Sequence, residues 1–385
     1  MDLNQFREPA GTLRKAELDG RTYTYFVPAP IPRTLAYDDE LAYALSRADG
    51  SLGALSGLGH NLPNPNLLIT PYLRREAVLS SKIEGTQASL SDVFLEEAGD
   101  SPTKANDAAE VVAYVRALDR GIARLHEGRP LDLTLLRELH AILLHGVRGK
   151  EKSPGEFRTE QNWIGPSGEH VAMARYVPPA VTEMGELLRD FQSYLDEKPR
   201  TPNLVQAALL HYQFEAIHPF IDGNGRIGRL MIILHLLERK SLSRPLLYLS
   251  AYFEQRRHEY YDHLLHVSES GDYSQWLTFF LEGVRVQSED ALQRGQALVH
   301  LRERYHATLQ AAHATAGTFT LLDRLFQNPY LTIPYAQEWL GVSFPTAQRA
   351  VEYLEAAGIV QETTGQQRNK RFRASEILET IEIER

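Results

Sequence analysis

The stretch His218-Pro219-Phe220-Ile221-Asp222-Gly223-Asn224-Gly225-Arg226-Ile227-Gly228-Arg229-Leu230 decides how this chain is read. Upstream, Val205, Leu209, Tyr212 and Ala216 recur at spacings of three and four, the apolar stripe of an amphipathic helix. Downstream, Ile227, Met231, Leu234 and Leu237 repeat the pattern. Pro219 and two glycines between the stripes force a turn. The stretch therefore predicts helix, short loop, helix. Gly223-Asn224-Gly225 deliver backbone N–H groups to the second helix's N-terminus, where unpaired donors and a partial positive charge attract phosphate. Arg226 and Arg229 add guanidinium forks suited to phosphate oxygens. Asp222, an acid beside an anion site, makes sense if a divalent cation bridges the two. His218 is the group here that exchanges a proton near neutral pH. Anion cradle, metal carboxylate, general base and arginine clamps together point to phosphoryl or nucleotidyl chemistry. The plainer alternative is a tight interhelical turn with a satisfied histidine and two surface arginines.

This loop resembles the signature of the Fic family, His-x-Phe-x-(Asp/Glu)-Gly-Asn-Gly-Arg-x-x-Arg. His218, Phe220, Asp222, Gly223, Asn224, Gly225, Arg226 and Arg229 stand at its fixed positions. The resemblance implies a mainly α fold, a Fic-type helical core with a β-hairpin flap, and transfer of AMP from ATP to a protein hydroxyl. The phosphate-transferring branch of the family carries a bulkier residue in place of the second motif glycine, so Gly225 makes this chain similar to the nucleotidyl-transferring branch. The resemblance implies His218 as base, Mg²⁺ on Asp222, and ATP on Gly223, Asn224, Gly225, Arg226, Ile227, Gly228 and Arg229. The Asn224 side chain and the N–H groups near it would steady the α-phosphate, and Phe220 would pack the loop.

At 385 residues the chain has room for two or three domains. Hydrophobic residues are 43% and charged residues 24%, ordinary for a globular protein. A net charge of −9 argues against general coating of nucleic acid, though not against a local basic patch. The absence of cysteine excludes disulfides, thiolate metal sites and a cysteine nucleophile. Met1 to Gly11 has no apolar core of a secretory signal, and no apolar run reaches membrane-spanning length, so a cytoplasmic protein with no membrane partner is expected.

Residues 1–36 read as an irregular arm with a short strand at 21–27, broken by Pro28, Pro30 and Pro32. A helix is expected from about Asp38 to Gly57. From Pro71 to Gly85, Leu73, Ala77, Ser80 and Glu84 share one helical face that begins apolar and ends in a carboxylate. Gly85 is a natural C-terminal cap. A glutamate in the last turn meets the negative end of the helix dipole, and a residue that breaks a local rule invites a functional reading. The alternative is an exposed glutamate at a frayed end. Ser80, Glu84 and Gly85 also resemble the inhibitory (Ser/Thr)-x-x-x-Glu-(Gly/Asn) helix of many Fic proteins. That resemblance implies that Glu84 pairs with Arg229, occupies the γ-phosphate position and restrains the enzyme.

Core helices are expected over 107–126 and 133–144, the latter capped by Asp132. Residues 154–179, bounded by Pro154-Gly155 and Pro178-Pro179, read as a β-hairpin with a Gly-Pro-Ser-Gly turn. The resemblance implies a flap whose edge, at Ile164 and Gly165, holds a target peptide by strand addition. Trp163 is left without a chemical role. Tyr260 and Tyr261 would sit near adenine and ribose. A buried helix is expected over 271–281 and a long one over 282–314. The resemblance covers roughly residues 40–300.

The boundaries expected are 1–100 for the arm and inhibitory region, 101–300 for the catalytic domain and 316–385 for a second domain. In that last part, helices over 319–326, 333–340 and 345–357 and strands over 358–362 and 370–373 resemble a winged helix-turn-helix. Gln348, Arg349, Arg368, Lys370, Arg371 and Arg373 would face DNA phosphates, while Glu352, Glu355 and the acidic tail oppose that. A dimerisation or substrate-docking module is the competing reading. The function expected is a protein adenylyltransferase using ATP and Mg²⁺ on a protein hydroxyl, the chain's own included. The alternatives are removal of AMP by the same fold, a nucleotide-sensing DNA-binding regulator, and a silent nucleotide-binding interaction protein.

Overall fold

Apolar residues recur at helical spacing over most of this chain, and helices form where they do. The computed structural model describes the chain apart from residues 19, 62–64, 99–104, 166–170, 198–199, 367 and 383–385. It opens with β1 (Gly11–Leu18) and β2 (Arg21–Pro28), an antiparallel pair in register from Gly11 opposite Pro28 to Leu18 opposite Arg21. The expected strand at 21–27 is there, but it is half of a hairpin rather than part of an irregular arm. β1 is largely exposed and weakly apolar, so its signal comes from its partner strand and not from its own pattern.

Then follow α1 (Asp39–Asn61), α2 (Asn66–Ile83), α3 (Leu90–Glu97), α4 (Ala105–His126), α5 (Leu133–Leu143), α6 (Val181–Asp196), α7 (Asn203–Ile217) and α8 (Asn224–Glu238). Local chemistry explains several starts. Ser89 and Asp92 form a capping box at α3, and the Asp132 side chain accepts from Leu135 N at α5. α2 begins before Pro71 and carries it inside. Burial of Leu67, Leu68, Tyr72 and Leu73 around it offsets the lost ladder bond.

α7 and α8 form the central antiparallel pair. They are buried on nearly every side, not along one stripe as the spacing implied. α9 (Ser250–Gln255), α10 (Arg257–Ser270) and α11 (Ser274–Ala311) come next. The two expected helices over 271–314 are one, since no proline interrupts them. α1 lies along α11, and Trp276 Nε1 ties α11 to α7 by donating to Ala208 O at 3.0 Å.

The chain continues with α12 (Ala316–Leu325), β3 (Tyr330–Thr332), α13 (Ile333–Leu340), α14 (Phe344–Ala356), β4 (Gln361–Glu362), β5 (Arg371–Arg373) and α15 (Ser375–Glu382). The three strands make an antiparallel sheet in the order β3-β5-β4. This segment is anchored to the rest. Its apolar residues belong to the same continuous core as those of α2, α4, α7 and α8. Asn328 Nδ2 donates to Phe94 O at 2.9 Å, and the Tyr335 hydroxyl donates to Glu97 O at 3.3 Å. Among the described residues no helix is long and apolar enough to cross a membrane.

Candidate active site

The loop between α7 and α8 is held by capture of its carbonyls. His218 ends α7 in a left-handed conformation, φ 50°, with its N–H donating to Phe214 O at 2.9 Å. Buried Arg158 lies beneath it, donating to His218 O at 3.0 Å and to Ile217 O at 3.4 Å, while its N–H reaches Pro219 O at 2.9 Å. A cation under the C-terminal carbonyls of α7 suits the helix dipole. Burial pulls Arg158 down to about 10. Asn162 Nδ2 donates to Phe220 O at 2.8 Å. His140 stacks on Phe220 at 3.8 Å between ring centres, donates to Asp222 O at 2.9 Å and accepts from Gly155 N at 2.8 Å.

The Asn224 side chain turns back on this loop. Its Oδ1 accepts from Phe220 N and its Nδ2 donates to Phe220 O, both at 2.8 Å. It thus braces the loop with its oxygen and one of its two amide N–H groups. What remains unpaired among the described residues is the start of α8: the N–H groups of Asn224, Gly225 and Arg226 make no hydrogen bond there. Ile227 corrects one expectation. Its side chain is in the core and its N–H bonds Gly223 O at 3.0 Å, leaving nothing for a ligand. Gly228 faces Glu215 and His211, not open space.

Against this helix start lies a carboxylate from α2. Glu84 Oε1 accepts from Arg229 at 2.7 Å. Ser80, one turn earlier, takes the same guanidinium twice, at Oγ (2.9 Å) and at its carbonyl (2.8 Å). The i, i+4 spacing thus sets two acceptors around one buried arginine. Gly85 follows with φ 97°, ending α2 where the glutamate is presented. A Cβ added at Gly225 would stand 2.2 Å from Glu84 Oε1, so only glycine admits the carboxylate there. Burial pushes the Glu84 carboxyl up, but Arg229 outweighs it and holds the group below the usual carboxylate range. Arg226 is buried between Asp222 (3.4 Å) and Glu110 (3.7 Å).

His218 Nδ1 lies 3.2 Å from Glu215 O. A carbonyl only accepts, so Nδ1 carries the proton and Nε2 is left with a lone pair. Burial pulls the imidazole down to about 4, so it is neutral at pH 7. Asp222 Oδ1 accepts from Gly223 N at 2.5 Å, and its side chain is 40% exposed. Among the described residues no cluster of three or more acids or histidines could hold a metal alone. One exposed carboxylate beside an anion site does fit Mg²⁺, which takes few protein ligands and shares substrate phosphates.

A cavity of about 420 Å³ opens beside these groups. Glu84, His218, Gly225 and Arg229 lie on one side of it, Tyr261, Leu264 and Ser268 on another. Of the tyrosine pair, Tyr261 faces the cavity. Tyr260 is buried behind it, with its hydroxyl 2.8 Å from His211 Nε2 and its ring stacked on Phe253. The flap lines the third side but is not a regular hairpin. Among its described residues it has a single antiparallel bridge, Ile164 with Tyr176, and a short 3-10 turn at Val171–Met173. Most of the expected Gly-Pro-Ser-Gly turn lies outside the described residues. Ile164 N and O are both committed to Tyr176 and Arg175, so the outward backbone edge belongs to its neighbours Trp163 and Gly165. Arg158, His140, Asn162, Glu110 and Glu215 were not singled out from sequence. The one available signal was a polar residue inside an apolar stripe, as at His140 among Leu136, Leu139 and Leu143.

Residues 42–123 match the Fic/DOC family N-terminal description and residues 130–236 match the Fic/DOC family. The chain is similar to the protein adenylyltransferase Fic of Aedes aegypti, 32% identical over 154 residues, covering 40% of this chain and 27% of that protein. It is 33% identical to the protein of the same name from Drosophila yakuba over 156 residues, covering 40% and 28%. The chain thus spans little more than a quarter of these relatives. Its fold is similar to a Fic family protein from Desulfovibrio desulfuricans G20, with a TM-score of 0.58, 20% identity, and coverage of 90% and 98%. It is also similar in fold to Fic-1 from C. elegans, with a TM-score of 0.53, 23% identity, and coverage of 68% and 74%. With the loop motif intact on a matching fold and both family descriptions met in order along it, the chain belongs to the Fic/DOC family.

Proposed function

We propose that this chain is a protein adenylyltransferase that moves AMP from ATP to a hydroxyl of a protein and is restrained by Glu84. The observation that carries the reading is the Glu84 carboxylate at the open N-terminus of α8, 2.7 Å from Arg229. An anion from the chain itself already fills the anion site, as expected if a phosphate competes for it.

In the reaction, His218 Nε2 takes the proton of the acceptor hydroxyl. The acceptor oxygen bonds the α-phosphorus, the bond to the bridging oxygen breaks, and pyrophosphate leaves with that electron pair. The N–H groups of Asn224, Gly225 and Arg226 meet the charge that develops on phosphate oxygens. Arg226 and Arg229 hold the β- and γ-phosphates. Asp222 would hold Mg²⁺, which when bound offsets phosphate charge. Tyr261 lies against the nucleoside, and the outward backbone edge at Trp163 and Gly165 presents the acceptor segment. With Glu84 in place, Arg229 is occupied and the γ-phosphate is repelled. ATP then binds in a pose that does not react.

The C-terminal segment supports a winged helix-turn-helix in its order of elements. Its second helix, α14, exposes Phe344 and Tyr353, and its Gln348 is bonded to Glu352. Exposed aromatics beside acids favour docking of a protein over DNA.

Intact-mass spectrometry of the chain incubated with ATP and Mg²⁺ tests the reading. Added AMP should accumulate in Glu84→Gly far faster than in wild type. It should fall by about 10²–10⁴-fold when His218→Ala is added. No adduct in any variant, on itself or on added protein, would overturn it.

A further inference from the structure

Two titratable side chains, His211 and Glu215, stand one turn apart on α7, and a third, His218, caps the helix's C-terminus in the left-handed conformation. His211 and Glu215 both press on α8 where Gly228 leaves room. A Cβ there would stand 2.5 Å from Glu215 Oε1 and 3.1 Å from His211 Nδ1. The Glu215 side chain is 12% exposed and lines the cavity. Among the described residues its Oε1 has no hydrogen-bond partner, and its Oε2 is 4.0 Å from His218 Nδ1. Buried acids without partners are rare enough to need a reason. This one stands on the Nδ1 side of the imidazole, away from the Nε2 lone pair.

We propose that Glu215 is the positioning residue of the general base. Its backbone carbonyl fixes the proton on Nδ1, and its carboxylate faces that same nitrogen when His218 becomes charged. This rests on the adenylyl-transfer reading. As the acceptor proton moves to Nε2, the imidazole becomes an imidazolium in a buried site. The Nδ1 proton stays on the ring, and Glu215 closes on it as counter-ion. No additional reactant is needed.

The carboxyl is surrounded by His211 on α7, His218 at the cap of α7, Arg229 on α8, Glu84 at the end of α2, and Tyr260 and Tyr261 on α10. Burial first, with the charge of Glu84, holds it up to about 8, while Arg229 pulls it down. The ionised form, the one that balances an imidazolium, is therefore disfavoured while Glu84 is in place. Withdrawal of Glu84 frees Arg229 and lets Glu215 ionise at lower pH. One movement opens the phosphate site and arms the base.

The test is the pH dependence of kcat/KM for ATP, which reports the free enzyme. Full-length Glu84→Gly is compared with Glu84→Gly/Glu215→Gln and Glu84→Gly/Glu215→Asp, self-labelling being the readout. The parent should rise with pH to a plateau below about pH 8. In the Gln variant that limb should disappear and the plateau drop by about ten- to a hundredfold, with ATP affinity and Tm kept. Glu215→Asp keeps the acid and should keep a rising limb at a reduced plateau, a result that stands even if the Gln variant misfolds. Superimposable profiles for parent and Gln variant, or a flat profile in the Asp variant, would overturn the proposal. No labelling by the parent at any pH would overturn the transferase reading beneath it, a separate failure.

Discussion

Arg229 is the residue on which the proposed restraint and stability meet. Its guanidinium is buried, and its partners are Ser80 and Glu84. Removing one partner of a buried pair leaves a charge uncompensated. Glu84 is about one-third exposed, so part of that cost is screened. Glu84→Gly should therefore lower the stability of the nucleotide-free chain by roughly 1–3 kcal/mol. Saturating ATP should recover most of it, read as Tm by calorimetry. An unchanged Tm without ATP would mean that the pair contributes nothing. The sign with pH follows from the lowered Glu84 carboxyl. The pair's contribution is fully present above the unfolded value of about 4.3, and is lost as pH falls through the lower folded value. Asn224→Ala should cost roughly 1–3 kcal/mol, because it strands the Phe220 N–H and leaves Phe220 O to Asn162 alone, and should lower turnover with it. Denaturant melts and initial rates check both. The signature residues themselves were legible from sequence. Their supports were not, because Arg158, Asn162 and His140 act by capturing backbone carbonyls, and a captured carbonyl leaves no pattern in side-chain types.

At the scale of elements, the flap carries a separable prediction. A Cβ at Gly165 would stand 3.1 Å from the Ala174 backbone across the flap. Gly165→Ala should therefore displace the edge proposed to present the acceptor. Transfer to protein should fall about tenfold or more while ATP affinity stays within about twofold, since small misplacements cost rate more than ground-state binding. Acceptor titration and isothermal calorimetry would separate the two, and a matched loss in both would contradict the flap's role. The helices were largely legible from their spacing. The errors have physical causes. α7 and α8 are apolar on all faces, which periodicity alone cannot distinguish from a stripe. β1 lacks a strand pattern of its own. The flap is nearly patternless because a single bridge and the β1–β2 hairpin hold it, with Phe26 N donating to Val177 O at 3.0 Å.

For the whole molecule, the buried histidines set the acid limit. Burial pulls His140 and His218 down to about 4, and His211 and His235 down to about 3. The unfolded chain binds their protons at about 6.5, so stability falls as pH drops from there toward 4, each contributing up to about 1.4 kcal/mol per pH unit. Glu215 works the other way, since its folded-state proton, held to about 8, favours the native chain as pH falls. Buried Glu76 is also held up and acts with Glu215, but four against two still gives a net loss, visible as a denaturation midpoint that drops between about pH 6.5 and about pH 5. A flat midpoint there would mean that the histidines are solvated. The helical core and the order of the C-terminal elements followed from sequence. That α12 to α15 share one continuous apolar core with the catalytic helices did not, because contacts such as Asn328 with Phe94 are long-range and leave no local signal.

The central claim is that the α-phosphate of ATP becomes covalently attached to protein under the control of Glu84. Parallel incubations of wild type, Glu84→Gly and Glu84→Gly/His218→Ala with ATP labelled at either the α- or the γ-phosphate test it most directly. Protein-bound label from the α-position alone, strong in Glu84→Gly and lost with His218→Ala, is the predicted result. Label from the γ-position, or equal α-label with and without His218, would contradict it.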